Sequence, residues 1–185
     1  ERGKTLILFD EVWKLLKTPT GAQMVEMLYR TVRKEGGAIW SLTQSVNDYL
    51  ALPKSTRSAI LNNSPIKLFL EHDASDAQRV VELFELNPAQ AAQLRSLQSQ
   101  VGHFSDLYIF TGSRRQVVRL SPSPIEYWLA TSHKDDIRAL DIFRYAYSSC
   151  SEFDILRRLS RRFANGAIGI SDKELDDQLR LSAAA

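Results

Sequence analysis

Apolar positions along this chain follow two rhythms. Thr5 leads into Leu6-Ile7-Leu8-Phe9, and Ala38-Ile39-Trp40-Ser41-Leu42 is a second run of similar length. Short, nearly continuous apolar runs suit strands buried on both faces of a parallel sheet. Between them, Met24, Val25, Leu28 and Val32 recur at helical spacing. They predict a helix over 20–35, capped by Thr20 and stopped by Gly36-Gly37. A polar stretch, Thr43 to Asp48, follows the second strand. Pro53 then opens a predicted helix to Asn62, and Pro65 precedes a third strand, Ile66 to Leu70.

Strands alternating with helices predict an α/β fold built on a parallel sheet with right-handed crossovers. Two further helices are predicted over 75–86 and 88–97, broken at Asn87-Pro88. Residues 104–110 and 116–120 flank Thr111-Gly112-Ser113-Arg114-Arg115, a hairpin signature. Beyond Pro122 and Pro124 the pattern turns helical, with helices over 133–148, 151–164 and 172–181. The expected layout is an α/β core over residues 1–122 and a C-terminal helical segment over 123–185.

Composition narrows the classes. The 185 residues are 44% hydrophobic, enough for a cored domain with a helical appendage. A net charge of +2 gives no indication of a nucleic-acid or anionic-membrane partner. The single cysteine, Cys150, cannot form an internal disulfide and fits a reducing compartment. No apolar run approaches the roughly 20 residues that span a bilayer. The N-terminus has no signal-peptide pattern, and it opens without methionine, as a piece of a longer chain would.

Candidate chemistry concentrates at strand ends. Asp10-Glu11 follows the first strand, at the sheet edge where open α/β folds bind ligands. An aspartate there can hold Mg²⁺ directly or through water, and a glutamate beside it can polarise a water attacking a γ-phosphate. Taken alone, the pair could equally begin a helix, where acids are favoured. Gln44 lies just past the second strand and should emerge at the same edge, where an amide can contact a terminal phosphate. Arg33 lies before that strand, at the opposite edge. Five strand residues span about 16 Å, so Arg33 suits a neighbouring copy's nucleotide, as an arginine finger in trans. Arg57 is the second choice for that finger, and Arg114 or Arg115 the third.

Other groups carry less. His72 with Asp73 and Asp76, and His103 with Asp106, lack a metal-ligand set. Cys150 has no histidine partner, and Trp13, Trp40 and Trp128 read as packing residues. Arg157, Arg158, Arg161 and Arg162 read as a solvated helix face.

The order Leu6-to-Glu11, Val12-Trp13-Lys14-Leu15-Leu16, Arg33-Lys34-Glu35-Gly36-Gly37 and Ser41-Leu42-Thr43-Gln44 resembles a known pattern. It is similar to the C-terminal ATPase domain of the large conjugation and type IV secretion ATPases. That TraC/TrbE-like family is related to the FtsK/HerA translocases. The likeness extends through Ser64-to-Leu70 and Pro124-to-Thr131, covering roughly residues 5–135. It implies a RecA-like P-loop NTPase core, here partial. In the full-length protein it implies Mg-ATP, assembly as a hexamer or dimer, and secretion components as partners at the cytoplasmic face of the inner membrane. By matching position, Asp10 is the Walker B aspartate and water-mediated Mg²⁺ ligand, and Glu11 the catalytic glutamate. Gln44 is the glutamine of the next motif, in contact with nucleotide, and Arg33 is the finger.

The family's Walker A loop precedes Walker B. Gly3-Lys4-Thr5 copies the end of such a loop, but it runs into a strand with only two residues before it. A working loop needs an earlier glycine and a following helix. The chain alone is therefore expected to hold no cofactor tightly, with nucleotide binding no tighter than millimolar, and to be inactive. Three functions stay open at this point. It is part of a secretion motor ATPase, a non-enzymatic docking or oligomerisation module, or a fragment of an FtsK/HerA-like DNA translocase.

Overall fold

The computed structural model describes residues 4–183, with side chains through residue 179. Gly3 of the Gly-Lys-Thr triplet therefore lies outside the described residues. β1 (Thr5–Phe9) and β2 (Gly37–Ser41) run parallel, with Thr5 opposite Gly37 and Phe9 opposite Ser41. They are joined through α1 (Trp13–Leu16), α2 (Pro19–Thr31) and a 3-10 turn over Val32–Glu35.

The cap of α2 is Thr18, not Thr20; its hydroxyl accepts from the Gly21 amide at 3.1 Å. Pro19 explains the shift. Its fixed φ fits the first helical position, and it forces the residue before it into the extended conformation a cap needs. A Cβ at Gly21 would stand 2.2 Å from the Leu15 carbonyl oxygen, so glycine lets α2 start directly against α1. At the far end the final turn tightens to 3-10, and Gly36 takes a left-handed φ of 76°.

After β2 come α3 (Asn47–Leu50), α4 (Lys54–Asn62), β3 (Ile66–Phe69), α5 (Ala74–Leu83) and α6 (Pro88–Arg95). β4 (Ser99–Gln100), β5 (Phe104–Thr111) and β6 (Arg114–Leu120) follow. The third predicted strand does not join the parallel pair. β3 pairs antiparallel with β5, Ile66 opposite Thr111 and Phe69 opposite Tyr108, and β6 completes the predicted hairpin on β5. Cross-strand aromatic packing accounts for this choice. The Phe69 and Phe110 rings lie 4.7 Å apart, and Phe84 closes on both at 5.5 Å.

The chain forms two compact units. The first takes in residues through Leu97 together with Asp106–Val118, and the second Gln98–Ser105 and everything from Arg119. In the first unit, one core joins Val12, Leu16, Val25, Tyr29, Leu52 and Ile60 beneath Phe9 and Ile39 of the parallel strands. A second gathers Val80, Leu94, Leu97, Tyr108 and Phe110.

The expectation that both parallel strands are buried on both faces fails. Ile7, Phe9 and Ile39 face the core side, but Leu6 is 59%, Leu8 59% and Trp40 62% exposed on the other. Trp40 is thus not a packing residue here. Among the described residues, nothing covers that face, and β1 pairs only with β2.

The second unit holds α7 (Pro124–Ala130), α8 (Lys134–Ala146), α9 (Glu152–Arg162) and α10 (Asp172–Ala183). A Ser123–Glu126 capping box starts α7. Trp128, Phe143, Leu159 and Leu175 form its core, with Cys150 packed against it. At its centre the fully buried Asp136 carboxylate accepts from Tyr127 Oη at 2.5 Å, Thr131 Oγ1 at 2.7 Å and the Ala167 amide at 2.6 Å. On α9, Arg157 and Arg161 are exposed, Arg158 stacks 4.6 Å from the Tyr147 ring, and Arg162 donates to the Gln178 carbonyl. No helix among the described residues is long and apolar enough to cross a membrane.

Candidate active site

Two backbone hydrogen bonds extend the parallel ladder beyond its strand ends. The Leu42 amide donates to the Phe9 carbonyl at 2.9 Å, and the Val12 amide donates to the Leu42 carbonyl at 3.0 Å. They bracket Asp10 and Glu11 and fix them beside the start of the Thr43-Gln44 loop. Asp10 is exposed and makes no hydrogen bond or ion pair among the described residues.

Glu11 holds a left-handed φ of 52°, and the only other such non-glycine residue described is Glu85. That conformation costs about 1–3 kcal/mol and persists only where the surroundings impose it. Here the Val12–Leu42 bond and the start of α1 impose it. The Glu11 carboxylate pairs with Lys14. The hydrogen bond to Glu11, then the charge of Glu11 and, less, that of Asp10 raise the Lys14 ammonium above its ordinary pKa.

Gln44 emerges at the same edge, exposed and without a hydrogen bond among the described residues. Its neighbours are held. The Thr43 hydroxyl donates to the Asp48 carboxylate. Asn47 donates to Ser45 Oγ at 2.9 Å and to Asp76 Oδ1 at 3.2 Å, and Arg79 donates to Asp76 at 2.9 Å. Beneath them Ser41 Oγ lies 2.5 Å from Tyr29 Oη and 3.1 Å from Tyr49 Oη, tying the end of β2 to α2 and α3. Burial pushes the Tyr49 phenol up to about 12.

Arg33 sits in the 3-10 turn before β2, so it lies at the edge opposite Asp10 and Gln44. It is exposed and unpaired among the described residues. Arg57, the second choice of finger, is half-buried on α4 and donates to the Leu50 carbonyl at 3.2 Å, clamping the end of α3. Arg115 in the hairpin stacks 4.0 Å over the Phe110 ring and donates to the Gly112 carbonyl at 2.7 Å. Asp73 caps α5, and Asp76 joins the Asn47–Arg79 network, so both serve structure. No cluster of three or more His, Cys, Asp or Glu residues among those described could hold a metal.

Mg²⁺ in a nucleotide site needs no such cluster. It prefers oxygen ligands and completes its octahedron with waters and phosphates around one or two carboxylates. A free, exposed Asp10 beside Glu11 fits that requirement, while the Lys14 ammonium pairs with Glu11. Sequence reasoning missed Lys14, Asp48 and the Tyr29–Ser41–Tyr49 chain. Lys14 alone carried a signal, a base three residues after an acid at the start of a helix.

Parallel strands joined by a helical crossover, with a second, hairpin-bearing sheet, fit a RecA-like P-loop core. Residues 2–159 match the family model described as the TraG P-loop domain, and the chain belongs to that family. It is 36% identical over 87 residues to the type IV secretion system protein CagE of Helicobacter pylori, covering 45% of this chain and 9% of that protein. It is 24% identical over 115 residues to the type IV secretion system protein virB4 of Bartonella quintana, covering 62% of this chain and 14% of that one. Among solved structures it resembles VirB4 of Thermoanaerobacter pseudethanolicus, with a TM-score of 0.55 and 25% identity over 68% of this chain and 33% of that one. The chain thus spans a small part of the relatives it matches.

Proposed function

We propose that this chain is the Walker B half of a type IV secretion or conjugation motor. In its full-length form that motor hydrolyses Mg-ATP to drive pilus assembly or substrate transfer. The observation that carries the reading is the Val12–Leu42 and Leu42–Phe9 bonding, which sets Asp10, Glu11 and the Gln44 loop at one sheet edge.

In this reading Asp10 holds Mg²⁺ through water, and Gln44 meets the terminal phosphate. When bound, the ion neutralises charge developing on the transferred phosphoryl group. Glu11 orients and polarises the attacking water, accepting its proton at a carboxylate oxygen. The anchored Thr43 and Ser45 hold Gln44 in place. Arg33, too far from its own site, reaches the nucleotide of a neighbouring copy, with Arg57 as the second candidate. The bare face of Leu6, Leu8 and Trp40 and the open edge of β1 seat the phosphate-loop half. Such a face does not stay in water in a finished α/β core.

The relatives' type IV secretion names support a place among secretion components; assembly as a hexamer or dimer at the cytoplasmic face of the inner membrane is part of the same proposal. The bare sheet face also favours a second reading, in which this half acts as an oligomerisation piece without chemistry. Glu11→Gln in the full-length protein separates the two. ATP binding retained with hydrolysis lost by about a hundredfold or more supports the motor. Unchanged hydrolysis overturns the assignment of Glu11.

A further inference from the structure

Lys14 stands in the one turn of helix that follows Asp10-Glu11, and its ammonium is paired with the Glu11 carboxylate. The pair is open to solvent, with side chains 63% and 33% exposed. Exposed i,i+3 pairs add little to stability, so holding the fold together does not explain it. Its field falls on the site instead. Asp10 has no partner among the described residues, and its charge acts on the same ammonium. Lys14 is thus the counter-charge of Glu11, with a weaker pull from Asp10. Its Nζ lies 5.6 Å from the Trp13 ring, a face already taken by the Lys17 ammonium at 4.0 Å, so Glu11 is its one carboxylate partner there among the described residues.

We infer that Lys14 is a positioning residue of this site, a built-in cation that holds Glu11 beside Asp10 while the site is empty and yields to an entering divalent cation. The inference rests on the reading of Asp10 and Glu11 given above. Two consequences follow from charge alone. Lys14 lowers the affinity of the pair for a divalent cation, because it competes for Glu11 and repels the ion. It also keeps Glu11 from acting on water until the metal has arrived, which couples the catalytic carboxylate to occupancy.

The test uses this chain with Mn²⁺ as the probe. Line broadening of the Val12, Trp13 and Gln44 amides by NMR reports binding near Asp10 without any need for turnover. Lys14→Met should tighten Mn²⁺ binding about fivefold, as expected from removing one nearby positive charge in water. Lys14→Arg, which keeps the charge, should match the wild-type chain, so a change of packing cannot mimic the result. Asp10→Asn should abolish binding in either background.

Equal affinities for wild type and Lys14→Met, with binding still dependent on Asp10, would overturn the role of Lys14 and leave the site standing. Binding that survives Asp10→Asn, or no binding by any variant, would overturn the site itself and the inference with it.

Discussion

The Val12 amide donates to the Leu42 carbonyl at 3.0 Å, one residue past a catalytic candidate on one strand and two residues before another on the next. This bond carries the parallel register of β1 and β2 into their loops. It makes Asp10, Glu11 and Gln44 neighbours, and it leaves Arg33 on the far side of the sheet. Each prediction below depends on that division.

Arg33→Ala in the full-length protein should abolish ATP hydrolysis and spare ATP binding, because Arg33 lies a strand's length, about 16 Å, from its own Asp10. Mixing Arg33→Ala with Glu11→Gln copies should restore part of the activity if the arginine works in trans. Nucleotide titration and mixed-copy assays check this; loss of ATP binding by Arg33→Ala would remove the finger role. Arg57→Ala should instead lower stability by about 1 kcal/mol, since its bond goes to the Leu50 carbonyl.

Tyr49 predicts a stability loss in alkali. Its folded-state phenol titrates at about 12 against an ordinary 10. A raised pKa means its contribution is complete below pH ~10 and is lost as pH rises through the folded value. In that window stability should fall by about 1.4 kcal/mol per pH unit for this group. Tyr108 and Tyr127 are also shifted upward by burial, so the wild-type slope is a sum. Urea unfolding from pH 9 to 12 should show a shallower fall for Tyr49→Phe; an identical slope would refute the assignment to Tyr49.

Asp136→Ala should destabilise the chain by roughly 2–4 kcal/mol, because Tyr127, Thr131 and the Ala167 amide would all lose their buried acceptor. Chemical denaturation monitored by far-UV circular dichroism measures it. A change under about 0.5 kcal/mol, the size of an ordinary surface substitution, would contradict the central role given to this carboxylate.

Leu8→Lys with Trp40→Lys tests the bare face. In this chain each should change stability by no more than about 0.5 kcal/mol, since both side chains are already in water. In the full-length protein the pair should be strongly destabilising. A similar small effect in both forms would mean that the face is never covered.

The placement of the candidate residues was legible in the sequence. Strand-end position alone placed Asp10, Glu11 and Gln44 at one edge and Arg33 at the other, because a parallel crossover returns each strand to the same side. The α2 cap was misread by two residues, since Pro19 selects the residue before it. The burial of Leu6, Leu8 and Trp40 was misread because an apolar run reports a face that wants cover, not what covers it.

Local order along the chain decides what neighbouring residues can do. Apolar runs set the strands, proline and glycine set their bounds, and the acids after β1 set the proposed chemistry. Interactions between residues distant in sequence are settled only in three dimensions. β3 joins the hairpin because Phe69 meets Phe110, Trp128 donates to the Phe163 carbonyl, and Asp136 draws in the Ala167 amide from 31 residues away. For Asp10 and Glu11, backbone hydrogen bonds to Leu42 and the charge of Lys14 turn an acidic pair into an arranged site.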